Sequence, residues 1–292
     1  MQDYTKYINQ TTIKRILAGK PSKTIREDYP SYLHIMTTAK GHKRTIIGSG
    51  AKTDKTISGR PEVTRPVYLA PHKSAGYGIN TCKMAGACRH DCLVASGRMV
   101  YQTESRIART RAFYGYPVDF LTDLINQIQI AALQAHLNGD ILFMRPNGTS
   151  DIRWEKVLNL DLLVQDITGL GGFYDYTKFP LYARKPSKAY HLTYSADEHI
   201  HAEQRSIEYR KHGYPVTMVV ENEDYKELKK NPAIIDGDKS DQRYHDDGIV
   251  ILRAKSLRDE EFKGRKYSRK KGRGLVRTFQ QVMRILEVTC GS

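Results

Sequence analysis

The chain has 292 residues, 39% hydrophobic and 27% charged, with a formal net charge of +15. This apolar content excludes wholesale disorder, and the length allows one large domain or one domain with an extension. No run reaches the ~18 apolar residues of a membrane span, and the first stretch lacks the apolar centre of a secretory signal. The expectation is a soluble, cytoplasmic protein with no membrane partner.

Residues 1–65 carry thirteen Lys and Arg against five Asp and Glu and read as a basic extension. Within it, TTIKRILAGKPSKTIRED suggests a helix broken at Gly19 and Pro21. YLHIMTTAK and KRTIIGSG suggest two short strands around a Gly-His-Lys turn. GSGAKT at 48–53 lacks the glycine-lysine order of a phosphate-binding loop and reads as a turn. From residue 66 to 292 the pattern becomes a β/α core. Strands are expected at 66–71, 141–145, 172–177, 190–195, 215–220 and 248–253. Helices are expected at 99–114, from Pro117 to Gly139, and through 155–167. Ser195-Ala-Asp-Glu198 fits a capping box for a helix ending at Gly213, and NEDYKELKK gives another helix. The stretch 236–247 reads as a polar loop. The alternation predicts an α/β fold, a partial (β/α)6-type barrel of mostly parallel strands. A second basic segment, residues 262–277, holds eight Lys and Arg and no acid. Together with the N-terminal extension it points to nucleic acid as a partner.

The loop after the first expected strand holds Cys82, Cys88 and Cys92, spaced C-x5-C-x3-C. Parallel β/α folds gather their chemistry at the C-terminal ends of strands, which is where this loop begins. Thiolates suit iron–sulfur clusters or zinc. Three local cysteines can hold three irons of a [4Fe-4S] cluster and leave the fourth iron open to a ligand. Zinc could instead use His90 as a fourth ligand, although H-x-C crowds two donors together. Three buried or free thiols without metal is the third reading. Cys290, near the end, is not needed for a three-ligand site.

Polar residues crowd the other expected strand ends. Asn147, Asp151 and Ser195 are candidates for binding a cofactor, and Asp175 and Lys178 are candidates for catalysis. Each has a competing role: Ser195 and Glu198 as a helix cap, Asp175 and Lys178 as an ion pair. The sole tryptophan, Trp154, reads as core. Arg106, Arg109 and Arg111 could hold an anion or form a solvated helix face.

NTCKMAGACRHDCLVASGRM, ARTRAFY, RPNGTSDIRWE, FYDYTK, YHLTYSADE and GDKSDQR, in that order, are similar to stretches of the phage-encoded gene-product-eighty-eight family. The architecture also resembles the radical S-adenosylmethionine superfamily, whose partial barrel carries three cluster-binding cysteines after its first strand. Gaps of five and three depart from that superfamily's C-x3-C-x2-C. This second resemblance implies a radical-SAM-like iron–sulfur enzyme, with S-adenosylmethionine as the ligand, acting on nucleic acid or a nucleotide. The alternative, from another class, is a non-enzymatic nucleic-acid-binding phage protein with a structural zinc or iron–sulfur site.

Overall fold

A computed structural model describes residues 3–49, 61–89, 92, 94, 97–254 and 276–290. It divides into two units. The first comprises Met1–Lys83, Tyr101–Tyr174 and Pro186–Tyr190, and the second comprises Met84–Val100, Asp175–Lys185 and His191–Ser292. Both are α/β, and every strand pairing registered within them is parallel, as the alternation of apolar runs and helices predicts.

In the first unit, β1 (Glu62–Pro66) pairs with β2 (Ile141–Arg145), and β2 pairs with the beginning of β3 (Leu170–Thr177). β2 coincides with the expected ILFMR. β1 lies four residues before its expected place. The reason is visible past Pro66: Ala70 N–H is bound by Thr110 Oγ1 and Leu69 C=O by Thr149 Oγ1, so this backbone is satisfied by side chains and not by a ladder.

The basic N-terminal stretch forms three helices, α1 (Gln10–Ala18), α2 (Lys20–Asp28) and α3 (Tyr32–Met36). The break at Gly19 and Pro21 is as expected. The first of the two expected strands is corrected: YLHIM is α3, because Ser31 caps it through His34 N at 3.2 Å, and Tyr32, Ile35 and Met36 fall at helical spacing onto buried positions. KRTIIGSG contributes single antiparallel bridges, Thr37 to Lys43 and Ile47 to Val67, around the predicted turn. Ile46 and Ile47 instead give their N–H groups to Gln127 Oε1 on α5 (Pro117–Leu137). Residues 50–60 of the expected extension lie outside the described residues.

α4 (Thr103–Gly115) is where α2 and α3 pack. Its arginines are not a solvated face. Arg109 is buried and donates to Thr45 C=O at 2.7 Å and Tyr68 C=O at 3.4 Å. Burial, then the neighbouring Arg106 charge, pulls its pKa down to about 10. Arg111 donates to Ala75 C=O and Tyr29 Oη. These guanidinium groups tie the N-terminal helices and the chain after β1 to α4. The expected helix through 155–167 is instead a short 3-10 turn, Trp154–Lys156, followed by α6 (Leu160–Asp166) capped by Asn159.

In the second unit, β4 (Tyr190–Ser195) pairs with β5 (Val216–Val220), β5 with β7 (Ile249–Arg253), and β7 with β6 (Ile234–Asp236). β8 (Val276–Arg277) also pairs with β5. β4 takes Val216 and Thr217 while β8 takes Val219 and Val220, and β7 spans all five residues, so β4 and β8 share one edge of β5. β6 and β8 escaped the sequence reading because three and two residues carry no periodicity. The capping box at Ser195 is corrected: α7 runs from Ala202 to Lys211, and Ser195 ends β4. Asp197 Oδ1 accepts His199 N–H at 3.1 Å, a local turn that delays the helix. α8 (Asn222–Leu228) follows β5, and α9 (Phe279–Cys290) ends the described chain.

Candidate functional site

In the first unit the cysteine loop departs where β1 and β2 both end. Thr81 Oγ1 donates to Ala70 C=O at 2.6 Å, and Asp151 N–H donates to Thr81 C=O at 2.9 Å. Cys82 Sγ lies 3.8 Å from Thr149 C=O and 3.7 Å from Thr81 Oγ1. Tyr114 is close enough for the Cys82 thiol to act on it, and burial first, then Cys82, pushes its phenol up to about 12.

Asn147 has a structural task here. Its Oδ1 accepts from Ser150 Oγ at 2.8 Å, Ile152 N–H at 2.9 Å and Trp154 Nε1 at 3.1 Å, and its Nδ2 donates to Ile152 C=O at 2.8 Å. One buried amide thereby closes the loop that carries Asp151 and seats the fully buried Trp154.

In the second unit Asp175 is fully buried on β3, and Lys178 is buried shortly after it. Lys178 Nζ donates to Ser195 Oγ at 3.1 Å and Ser195 C=O at 3.2 Å. Two residues predicted from separate strand ends thus meet, as a clamp between the ends of β3 and β4. Cys88 lies in a 3-10 turn, Ala87–Arg89, and Cys92 follows; both are half-buried. Among the described residues, no group of three His, Cys, Asp or Glu side chains is gathered to hold a metal ion. His90, the candidate zinc ligand, lies outside the described residues, as do residues 262–275 of the basic segment.

Beyond the end of β4 the second unit has a cavity of about 230 Å³. Glu198 and Ala196 come from the β4–α7 connection, Glu203 and Ser206 from α7, Arg277 from β8, and Gln281 from α9. Gly86 of the cysteine loop is pressed against Glu198: a Cβ there would collide with Glu198 Oε1. The loop bearing Cys88 therefore abuts a wall of this cavity, which sits at the strand edge where parallel β/α units place their chemistry.

A family model described as gene product 88 matches residues 36–273. The chain belongs to the gene product 88 family. Comparisons with curated proteins and with solved structures returned no match. The match to this phage family covers the segments quoted above, from the cysteine loop through GDKSDQR. Among the described residues, no helix is long and apolar enough to cross a membrane.

Sequence reasoning missed the part of the gene product 88 chain that matters most to the cavity. Arg277 was counted with the basic segment, yet it is 9% exposed and lies in β8. Gln281 was unremarked, although T-x-x-Q at 278–281 is a capping-box signal. The structure forms that box, with Thr278 N–H on Gln281 Oε1 at 3.0 Å and Gln281 N–H on Thr278 Oγ1 at 3.3 Å.

Proposed function

We propose that this gene product 88 protein is an iron–sulfur protein, with Cys82, Cys88 and Cys92 as the ligands of a [4Fe-4S] cluster. The observation that carries the reading is the position of the cysteine loop: Cys82 sits at the joined ends of β1 and β2, and Gly86 abuts the strand-edge cavity. The donor set suits the group, since three soft thiolates in one loop favour iron–sulfur chemistry over hard cations. When bound, a cluster held by three cysteines supplies one-electron chemistry and an iron open to a small ligand, for which S-adenosylmethionine is the candidate. The chain's own contribution is to fix the loop's base through Thr81 and Thr149 in the first unit and, within the second, to brace the ends of β3 and β4 through Lys178 and Ser195. Asp151 and Asp175 remain candidates for contacting a ligand. The basic run at 262–275 is the proposed contact with nucleic acid, and the host cytoplasm the proposed location.

The test is iron and acid-labile sulfide analysis of anaerobically purified protein, with Cys88→Ala beside the wild type. Iron and sulfide in the wild type, lost in Cys88→Ala, support the proposal. Zinc without sulfide overturns it and leaves the second reading, a nucleic-acid-binding protein with a structural metal. One observation favours that alternative: Asn147, Lys178 and Ser195 are already occupied in holding loops together. Anaerobic incubation with S-adenosylmethionine and dithionite separates the two, because only the enzyme cleaves it.

A further inference from the structure

The strand-edge cavity of the second unit presents donors that the fold leaves unmet. Arg277 is 9% exposed, and its Nη2 is buried without a hydrogen-bond partner. A guanidinium is costly in such a place unless its donors are met. Burial is the leading influence on its pKa and lowers it, ahead of Asp197, Tyr194, Glu198 and Glu203, which act in the opposite sense through space. The acids near Arg277 thus fall short of offsetting its desolvation. Gln281 lines the same cavity with its carbonyl committed to Thr278 N–H, so its NH2 group remains to donate. His199, also in the lining, accepts His201 N–H on Nδ1 at 3.2 Å, so its neutral ring carries the proton on Nε2. The two acids of the lining are engaged, Glu203 by Arg284 at 3.0 Å and Glu198 within the chain.

We propose that this cavity binds a small monocarboxylate with a short apolar tail, its carboxylate on Arg277 and Gln281 and its tail against the aliphatic wall. A carboxylate matches the guanidinium fork and makes charge-assisted hydrogen bonds, which a neutral acceptor makes more weakly. One negative charge also answers one buried cation. A phosphate dianion is disfavoured, because Glu198 and Glu203 line the same space and repel the second negative charge. An amine is disfavoured because it repeats the charge of Arg277. Ala196, Ala202 and Ile285 supply the aliphatic wall, and the exposed Ile200 extends it. A volume of about 230 Å³ is far above the ~10–15 Å³ one water needs. This inference does not depend on the cysteines holding a metal.

The experiment is calorimetric titration of the full chain with isocaproate and the straight-chain monocarboxylates from butanoate to octanoate. Isocaproamide, uncharged and of the same shape, and inorganic phosphate are titrated beside them. At least one monocarboxylate should bind saturably, with its amide and phosphate each weaker by about tenfold or more. Arg277→Met should abolish binding, and Arg277→Lys should retain a weaker form of it. Gln281→Glu keeps an acceptor for Thr278 N–H but replaces the NH2 donor with a negative charge. It should weaken the carboxylate by about tenfold and narrow its advantage over the amide, which keeps the proposal testable if Arg277→Met fails to fold. Absence of binding across the series, equal binding of acid and amide, tighter binding of phosphate, or full affinity in either folded variant, Arg277→Met or Gln281→Glu, would each overturn it.

Discussion

Replacing Asn147 by alanine separates a ligand-binding residue from a loop-closing one. The side chain is 3% exposed and makes four hydrogen bonds inside the 147–154 loop. Ser150 can turn its hydroxyl elsewhere, but Trp154 Nε1 and Ile152 N–H cannot. The indole N–H is fully buried and would be left unmet at about 1–3 kcal/mol, with a smaller penalty at the half-buried Ile152. Adding the lost donation to Ile152 C=O gives a total of about 3–4 kcal/mol. Trp154 is the single tryptophan, so its fluorescence reports the loop directly during urea unfolding. Asn147→Ala should lower the unfolding free energy by that amount with no ligand present, and should shift native emission to the red. A loss under about 1 kcal/mol with native emission unchanged would refute the loop-closing role and return Asn147 to the ligand-binding candidates.

Tyr114, raised to about 12 by burial and then by Cys82, gives an alkaline signature. Its folded pKa lies above the unfolded value of about 10, so its contribution is complete below pH ~10 and is lost as pH rises through about 12. Alkaline unfolding of Tyr114→Phe should be flatter in that window than wild type. Gly169 has φ +84° and no room for a Cβ beside Ala132 C=O, so Gly169→Ala should cost about 2–3 kcal/mol in a denaturant titration. Changing Lys266, Arg269, Lys270 and Lys271 to Gln should weaken DNA or RNA binding and flatten its salt dependence, since fewer counterions are released. Equal slopes for variant and wild type would remove the segment from the interface.

The strands legible in the sequence were those with enough residues to show a pattern. ILFMR and YHLTYS were placed to the residue, and Pro117 marked the start of α5, because apolar runs and a helix-opening proline are local signals. YLHIM was misread because a five-residue apolar run is ambiguous between strand and helix, and the Ser31 cap that decides it is a single hydroxyl. Ser195 was assigned to a helix cap from its T/S-x-x-E pattern, whereas a lysine seventeen residues earlier claims its oxygens. The arginines of α4 were similarly opaque. The carbonyls that Arg109 and Arg111 meet, at Thr45, Tyr68 and Ala75, are far away in sequence and invisible to any motif. Arg277 shows the limit most clearly, since composition counts a cation without showing whether a strand has carried it inside.

The shared edge of β5 divides the cavity wall by origin. The β4–α7 side lies within the segment that matches the family, whereas Arg277, Gln281 and Ile285 lie past residue 273, where the match stops. A change confined to residues 276–290 therefore alters one face of this cavity and leaves the β4–α7 face as it is.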